Sequence, residues 1–368
     1  IEQFTGRRPL IKRYIDCFLQ QLQTEFPNDF YEGKWGDGYE FRTWTDSNSD
    51  YHHSLLTGRS GKGKSSLFCL LYDHLNKHLP VNVILLGHSA GVTPESCRLY
   101  SMFRRFCKQL AQRMHIDYTV PDADKESISQ YTQHLRNDFD KLCQAAAKRN
   151  LHVAIMIDAL DRFLDDKAIL SLSFLLDLRK IELGNPKRSL IQFDTTQKAT
   201  YIRLFWGTCT EEYLEKEVEP YFKLTDEYSY LKVEYLEDYS KEDATALLKK
   251  VLGNSGKELP KTITQKLLNK QDARNNQAYT SPLWIILATN ILSAIDSYDF
   301  SMMRQSSAIN EEEKITLFLE SMVDEFSCNP QELFLQLLEK AARRFGKQLV
   351  YGTLTFIAFS WHGLSDRE

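Results

Sequence analysis

Residues 55–68 read LLTGRSGKGKSSLF. Gly58, four residues, then Gly63-Lys64-Ser65 gives the spacing G-x-x-x-x-G-K-[ST]. No other stretch restricts the fold as tightly, because such a loop belongs between a buried strand and the first turn of a helix. A chance match is expected in on the order of one chain in a hundred of this length, so the flanks must decide. Ser54 to Thr57 reads as the end of a buried strand. Leu67, Leu70, Leu71 and Leu75 then recur at helical spacing up to Pro80. The loop therefore lies where the pattern requires it.

The rest of the chain repeats this alternation. Val81 to Leu86 predicts a second strand, and after a Gly/Ser loop a helix follows over 96–114. A polar stretch and a further helix lead to Leu151. LHVAIMIDALDRF is a continuous apolar run ending in acids, as in a central parallel strand. A helix over 168–183, a polar loop over 185–200, and strands over 201–208 and 230–236 follow. Strands alternating with helices imply an α/β fold with a parallel sheet covered on both faces. From Ser240 the pattern is helical, with Ser240 as N-cap and Asp243 three residues on. Helical periodicity continues to about Asn290 and again over 310–338, and a last apolar helix and a turn end the chain. Before the loop, Leu10, Ile11, Tyr14, Ile15, Phe18 and Leu22 are helically spaced, and 26–52 is loop-rich. The expected divisions are 1–237, 238–308 and 309–368.

Composition narrows the function classes. The chain has 368 residues, 42% apolar and 26% charged, with net charge -4. No global basic field draws it to nucleic acid or membrane, and no run of eighteen apolar residues occurs. Seven scattered cysteines without a CxxC pair fit reduced thiols, so an intracellular, cytoplasmic location is expected. The chain begins at Ile1 and stops at Glu368, which reads as a segment of something longer. Arg98, Arg104, Arg105 and Lys108 form a basic stripe on one helix, a possible nucleic-acid contact. Leu99, Phe103, Phe106 and Leu110 fill the other face, which favours plain amphipathic packing. His52-His53 has no partner at metal spacing, and no Ser-His-Asp arrangement is readable.

The loop's chemistry follows from its residue types. Successive backbone N–H groups form an anion nest, and the following helix adds its positive end. Gly58, Gly61 and Gly63 permit close backbone approach. Arg59, Ser60, Lys62 and Ser66 complete the loop, with Lys62 expected to face solvent. Lys64 is expected to reach the β- and γ-phosphates of a nucleotide, and Ser65 to offer its hydroxyl to Mg²⁺. A carboxylate at a strand end must complete the metal side. Asp158 ends VAIMI and would lie at the C-terminal edge of the sheet, where ligands bind in open α/β sheets. Asp161 could accept a proton from water or hold the metal's shell. The plainer alternatives are a helix N-cap for Asp158 and an ordinary first-turn acid for Asp161.

In these pieces the chain resembles a NACHT-type member of the STAND signal-transduction P-loop NTPases. The likeness is to the nucleotide-binding regions of vault/telomerase-associated and nephrocystin-type proteins. It rests on Gly6-Arg7-Arg8, LLTGRSGKGKSSL, GHSAGVTPESCRLYSMFRRFCKQL, IMIDALDRF, SPLWIILATNIL and FSWHGLSDRE, in that order. It implies a P-loop core, a helical lid, the start of a winged-helix domain, and ATP or ADP with Mg²⁺. It also implies a switch between a closed ADP state and an open ATP state that oligomerises, working with other domains of a longer chain. By this resemblance Gly58 to Ser66 bind phosphates and metal, and Asp158 is the metal-side acid. Thr208 matches a γ-phosphate sensor, Pro282 a lid contact to adenine, and Gly6 and Arg7 residues enclosing the base. The plainer alternatives are that Thr208 just ends a strand, Pro282 begins a helix, and Arg7 is a solvated surface charge. Two departures concern hydrolysis. Arg162 stands where the family often has a second acid, and Cys209-Thr210-Glu211 where many members carry an Arg. Slow hydrolysis is thus expected, with a silent nucleotide-bound scaffold as the alternative. His362 is not assigned the ADP-reading role that a later His has in some relatives.

Overall fold

The computed structural model describes residues 7, 10–15, 53–79, 81–122, 127–149, 151–164, 202–218, 231–295 and 310–360. The helix expected over 168–183, the loop over 185–200, Gly6 and His362 lie outside them. Two compact units emerge. One gathers residues 10–58 and 64–236, and the other Arg7, residues 59–63 and the chain from Glu237 onward.

The first unit is an α/β layer. Its strands are β1 (His53–Thr57), β2 (Val83–Ser89), β3 (His152–Asp158), β4 (Ile202–Cys209) and β5 (Leu231–Tyr235). Every pairing is parallel and the order is β2-β3-β4-β1-β5. Its long helices among the described residues are α1 (Lys64–His78), α2 (Leu99–Arg113) and α3 (Ile128–Ala147). β3 is buried at every position, which explains its unbroken apolar run: both faces are covered, so no position can alternate to polar. Val153, Ile155 and Ile157 share one core with Phe103, Phe106 and Phe139 of α2 and α3. The three phenylalanines meet at ring distances of 5.9 Å, and burying each contributes about 1.5–3 kcal/mol. On the opposite face Trp206 is fully buried, stacked on Phe68 of α1 at 6.1 Å and edge-on to Tyr14 at 5.8 Å.

β2 is longer than its apolar run. Residues 81 and 82 form a turn, and the strand extends through Gly87-His88-Ser89. Pairing rather than hydropathy sets this end, because the ladder runs until the Ala90 N–H donates to the Asp158 carbonyl at 3.0 Å. His88 is buried in spite of its polarity. It stacks on Phe163 at 5.6 Å, and its Nε2 bonds the Ser96 carbonyl at 2.8 Å.

The second unit is helical: α4 (Lys241–Asn254), α5 (Lys261–Leu268), α6 (Pro282–Ser293), α7 (Glu311–Glu325), α8 (Pro330–Phe345) and α9 (Lys347–Phe359). One hydrophobic core joins Leu247, Ile263, Trp284, Val323 and Leu333, so helices on both sides of position 308 share it. Ser240 caps α4 by accepting from the Asp243 N–H at 3.0 Å. The single helix expected over 310–338 is two. Phe326 to Asn329 interrupts it, Asn329 caps the next helix, and Pro330 occupies its first position. A proline has no N–H to continue the preceding helix and disfavours helical geometry in the residue before it.

Candidate functional site

The site builds from the C-terminal ends of β1, β3 and β4. β1 runs into the Gly-rich loop, and α1 starts at Lys64 with no acid in its first turn. Gly61 and Gly63 have φ of +81° and +92°, values that side chains with a Cβ rarely adopt. Ser65 and Ser66 are exposed at the start of α1, as are Arg59 and Ser60, while Gly58 is buried. The Lys64 ammonium donates to the Gly58 carbonyl and so folds over its own loop. Burial lowers its pKa, opposed by the negative field of Asp161 and, further down, Asp158 and Glu211. The lysine thus stands between the loop backbone and the acids at and just after the end of β3.

Those acids are held from β4. Asp158 is 2% exposed. Its Oδ1 accepts from the Thr208 hydroxyl at 2.6 Å, and its Oδ2 from the Ser89 hydroxyl at 3.0 Å. Thr208 is fully buried, and its Oγ1 in turn accepts the Ala159 N–H at 2.8 Å. That bond closes on a residue with φ of +57°, a left-handed conformation costing a residue other than glycine about 1 kcal/mol or more. Asp161 repeats the pattern one step on. Its Oδ1 accepts the Thr210 N–H at 3.2 Å, and the Arg162 Nε approaches its other oxygen at 3.7 Å. Both acids are therefore oriented by the end of β4, the strand lying between β3 and β1.

Ser89 was not singled out from the sequence. It ends β2 in register with Asp158, and its only sequence signal is a small hydroxyl residue just past an apolar run. Thr208 lies at the end of its strand, and its hydroxyl is engaged by Asp158 and Ala159.

Residues 59–63 pack within the helical unit. Arg7 is not a solvated surface charge; it is 6% exposed. Its guanidinium donates to the Lys62 carbonyl at 2.7 Å and to the Glu237 carbonyl at 2.5 Å. It lies 4.6 Å from the Tyr239 ring centre, and its own N–H donates to the Asp243 carboxylate at 3.2 Å. Burial lowers its pKa while Tyr239 and Asp243 oppose that shift. Lys62 does not face solvent either, since its ammonium meets Asp238 at 2.7 Å. Pro282 is buried at the first position of α6, where Ser281 caps the helix. The Leu283 N–H donates to the Gly61 carbonyl at 3.3 Å, and a Cβ built on Gly61 would stand 3.1 Å from Leu283. Arg7, Lys62 and α6 thus fix the loop's outer turn.

The donor set fits a polyanion and a hard cation. Loop N–H groups, the α1 terminus and Lys64 suit phosphate oxygens. The Ser65 hydroxyl and the Asp158 and Asp161 carboxylates are oxygen ligands of the kind Mg²⁺ takes.

Comparison with known proteins agrees in part. The family model described as Nephrocystin 3, N-terminal, matches residues 35–185, which include Gly58 to Ser66, Asp158 and Asp161. No curated protein matches the chain. Among solved structures, the chain is similar to the ADP form of Aeropyrum pernix ORC2, at 12% identity over 88% of this chain and 69% of that one, TM-score 0.44. It is similar to a structure of Drosophila ORC bound to DNA, at 13% identity over 93% and 80%, TM-score 0.43. It is also similar to domain III of the Thermotoga maritima replication initiation protein DnaA, at 12% identity over 88% and 95%, TM-score 0.36. These likenesses are remote, and the fold assignment rests on the strand order and the loop geometry themselves.

Proposed function

We propose that this chain is an ATP- and ADP-binding regulatory module of the NACHT-type STAND kind, with slow Mg²⁺-dependent hydrolysis. The observation that supports it best is the Gly-rich loop between β1 and α1 with Lys64 in the electrostatic field of Asp161 and Asp158. Loop N–H groups and Lys64 would hold the phosphates, and Ser65 and Asp158 would hold Mg²⁺, which neutralises charge developing on the transferred phosphoryl group. Thr208 and Ser89 would keep the Asp158 carboxylate aimed. Asp161 would orient water. The Arg162 Nε stands 3.7 Å from its other oxygen.

In this reading residues 238–308 are the lid and 309–368 the start of a winged-helix domain. Pro282 and Arg7, which hold the loop's outer turn, would be where bound nucleotide is reported to the lid. Oligomerisation in the ATP state, joined to other domains of a longer chain in the cytoplasm, belongs to the same proposal. Among the described residues no helix is long and apolar enough to cross a membrane.

Lys64→Ala tests the reading. ATP and ADP affinity should fall at least tenfold, which is about 1.4 kcal/mol, by calorimetry on folded protein. Unchanged affinity would remove the proposal. Lack of phosphate release over many turnovers, with binding intact, would select the hydrolytically silent scaffold instead.

A further inference from the structure

β2 is the outermost strand on its side of the sheet among the described residues. Its ladder to β3 is fixed at both ends: the His152 N–H donates to the Asn82 carbonyl, and the Ala90 N–H to the Asp158 carbonyl. With parallel pairing, residues 82, 84, 86, 88 and 90 therefore turn their peptide groups toward β3. Val83, Leu85 and Gly87 turn theirs outward. The Gly87 carbonyl is met by the Arg105 guanidinium. The groups of Val83 and Leu85 meet none of the described residues.

This edge is not flat against solvent. It floors a cleft of 640 Å³, walled by Tyr72, Asn76 and Leu79 from α1 and its end and by Gln109, Gln112 and Arg113 from α2. The lining says what the cleft accepts: among the described residues it contains Arg113 and no carboxylate. α2 runs back along β2. Arg105 lies at Gly87, and Arg113, eight residues on, lies about 12 Å further, which brings it toward Val83, about 13 Å from Gly87 along the strand.

We infer that this cleft binds an extended peptide segment of a partner protein, added as a sixth strand beside β2, with an acidic side chain at the Arg113 end. Pairing with the outward peptide groups of Leu85, next to the buried Val83, supplies backbone hydrogen bonds, and the walls read alternate side chains. A second copy joined edge to edge fits less well, because helices wall the edge on both sides.

The test uses the full chain and a fluorescein-labelled hexapeptide alternating valine and threonine, with glutamate at one end. Lysine-ended and alternately N-methylated versions serve as controls. The glutamate peptide should bind at least tenfold more tightly than the lysine peptide, and Arg113→Glu should reverse that preference. Leu85→Pro removes an outward N–H without removing a bond to β3, a position where an edge strand tolerates proline. It should weaken binding tenfold or more. Equal binding of the N-methylated peptide overturns the proposal, as does an Arg113→Glu variant with unchanged preference. So does a Leu85 amide already protected from exchange in the free chain, which would mean the edge is covered. Self-association of the chain abolished by Leu85→Pro would assign the edge to a second copy instead.

Discussion

Thr208→Val is the sharpest probe of how the acids are held. Valine keeps the volume and removes the hydroxyl. Two bonds disappear: the donation to Asp158 at 2.6 Å and the acceptance from Ala159 at 2.8 Å. Thr208 is fully buried and Asp158 nearly so, so water does not replace them freely. A hydrogen bond to a charged group is worth about 1.5–3 kcal/mol, and a stranded buried N–H costs about 1–3 kcal/mol. The sum is roughly 3–5 kcal/mol, enough to shift the unfolding equilibrium more than a hundredfold. In urea, with a slope of about 2–3 kcal/mol/M, the midpoint of the sheet unit's transition should fall by about 1–2.5 M. Thr208→Ser keeps both bonds and loses one methyl, so it should cost only about 1 kcal/mol. Circular dichroism followed through the transition measures both variants. If Thr208→Val lies within about 1 kcal/mol of the parent, or serine costs as much as valine, the β4–β3 coupling described above is wrong.

Three further outcomes are expected. Asp161→Asn should slow ATP hydrolysis with little loss of ATP affinity, Asp158→Asn should weaken Mg²⁺-dependent binding, and the parent should turn over below about 0.1 per second, under the usual enzyme range; phosphate release and calorimetry separate these effects, and turnover above about ten per second would mean the site works differently. Gly61→Ala should destabilise the loop by about 1–2 kcal/mol, since φ is +81° and Leu283 stands 3.1 Å from the new Cβ, and nucleotide affinity should fall with it; an alanine variant of full stability and affinity would contradict the loop geometry. Burial, with Arg105 adding to it, pushes His88 down to about 4 from an ordinary 6.5, so between these values the unfolded chain binds a proton that the native one refuses. Stability should be whole above pH 6.5 and fall as pH drops toward 4, by up to about 1.4 kcal/mol per pH unit from this group, and unfolding curves of His88→Gln should be flatter across that window.

Local pattern determined a good deal. Gly58-x₄-Gly63-Lys64-Ser65 between an apolar stretch and a 3.6-period run can satisfy its neighbours only as strand, turn and helix, and the structure has β1, the loop and α1 there. VAIMI ahead of Asp158 had to be a strand covered on both faces, because nothing in it could face water. Ser240 with Asp243 is a cap made of four consecutive residues, complete in the sequence itself. What tertiary structure decided is everything that depends on which distant groups arrive beside one another. Only the sheet order, with β4 between β3 and β1, turns Thr208 and Thr210 into the partners of Asp158 and Asp161. Only the β2–β3 register brings in Ser89. A charged residue near a chain end reads as solvated because isolated charge avoids burial, yet Arg7 is buried since the Lys62 and Glu237 carbonyls, the Tyr239 ring and the Asp243 carboxylate meet it from positions up to 236 residues away. Lys62 loses its expected exposure to Asp238 for the same reason. Hydropathy and spacing record what a residue needs from its surroundings, and the folded chain alone determines which residues supply it.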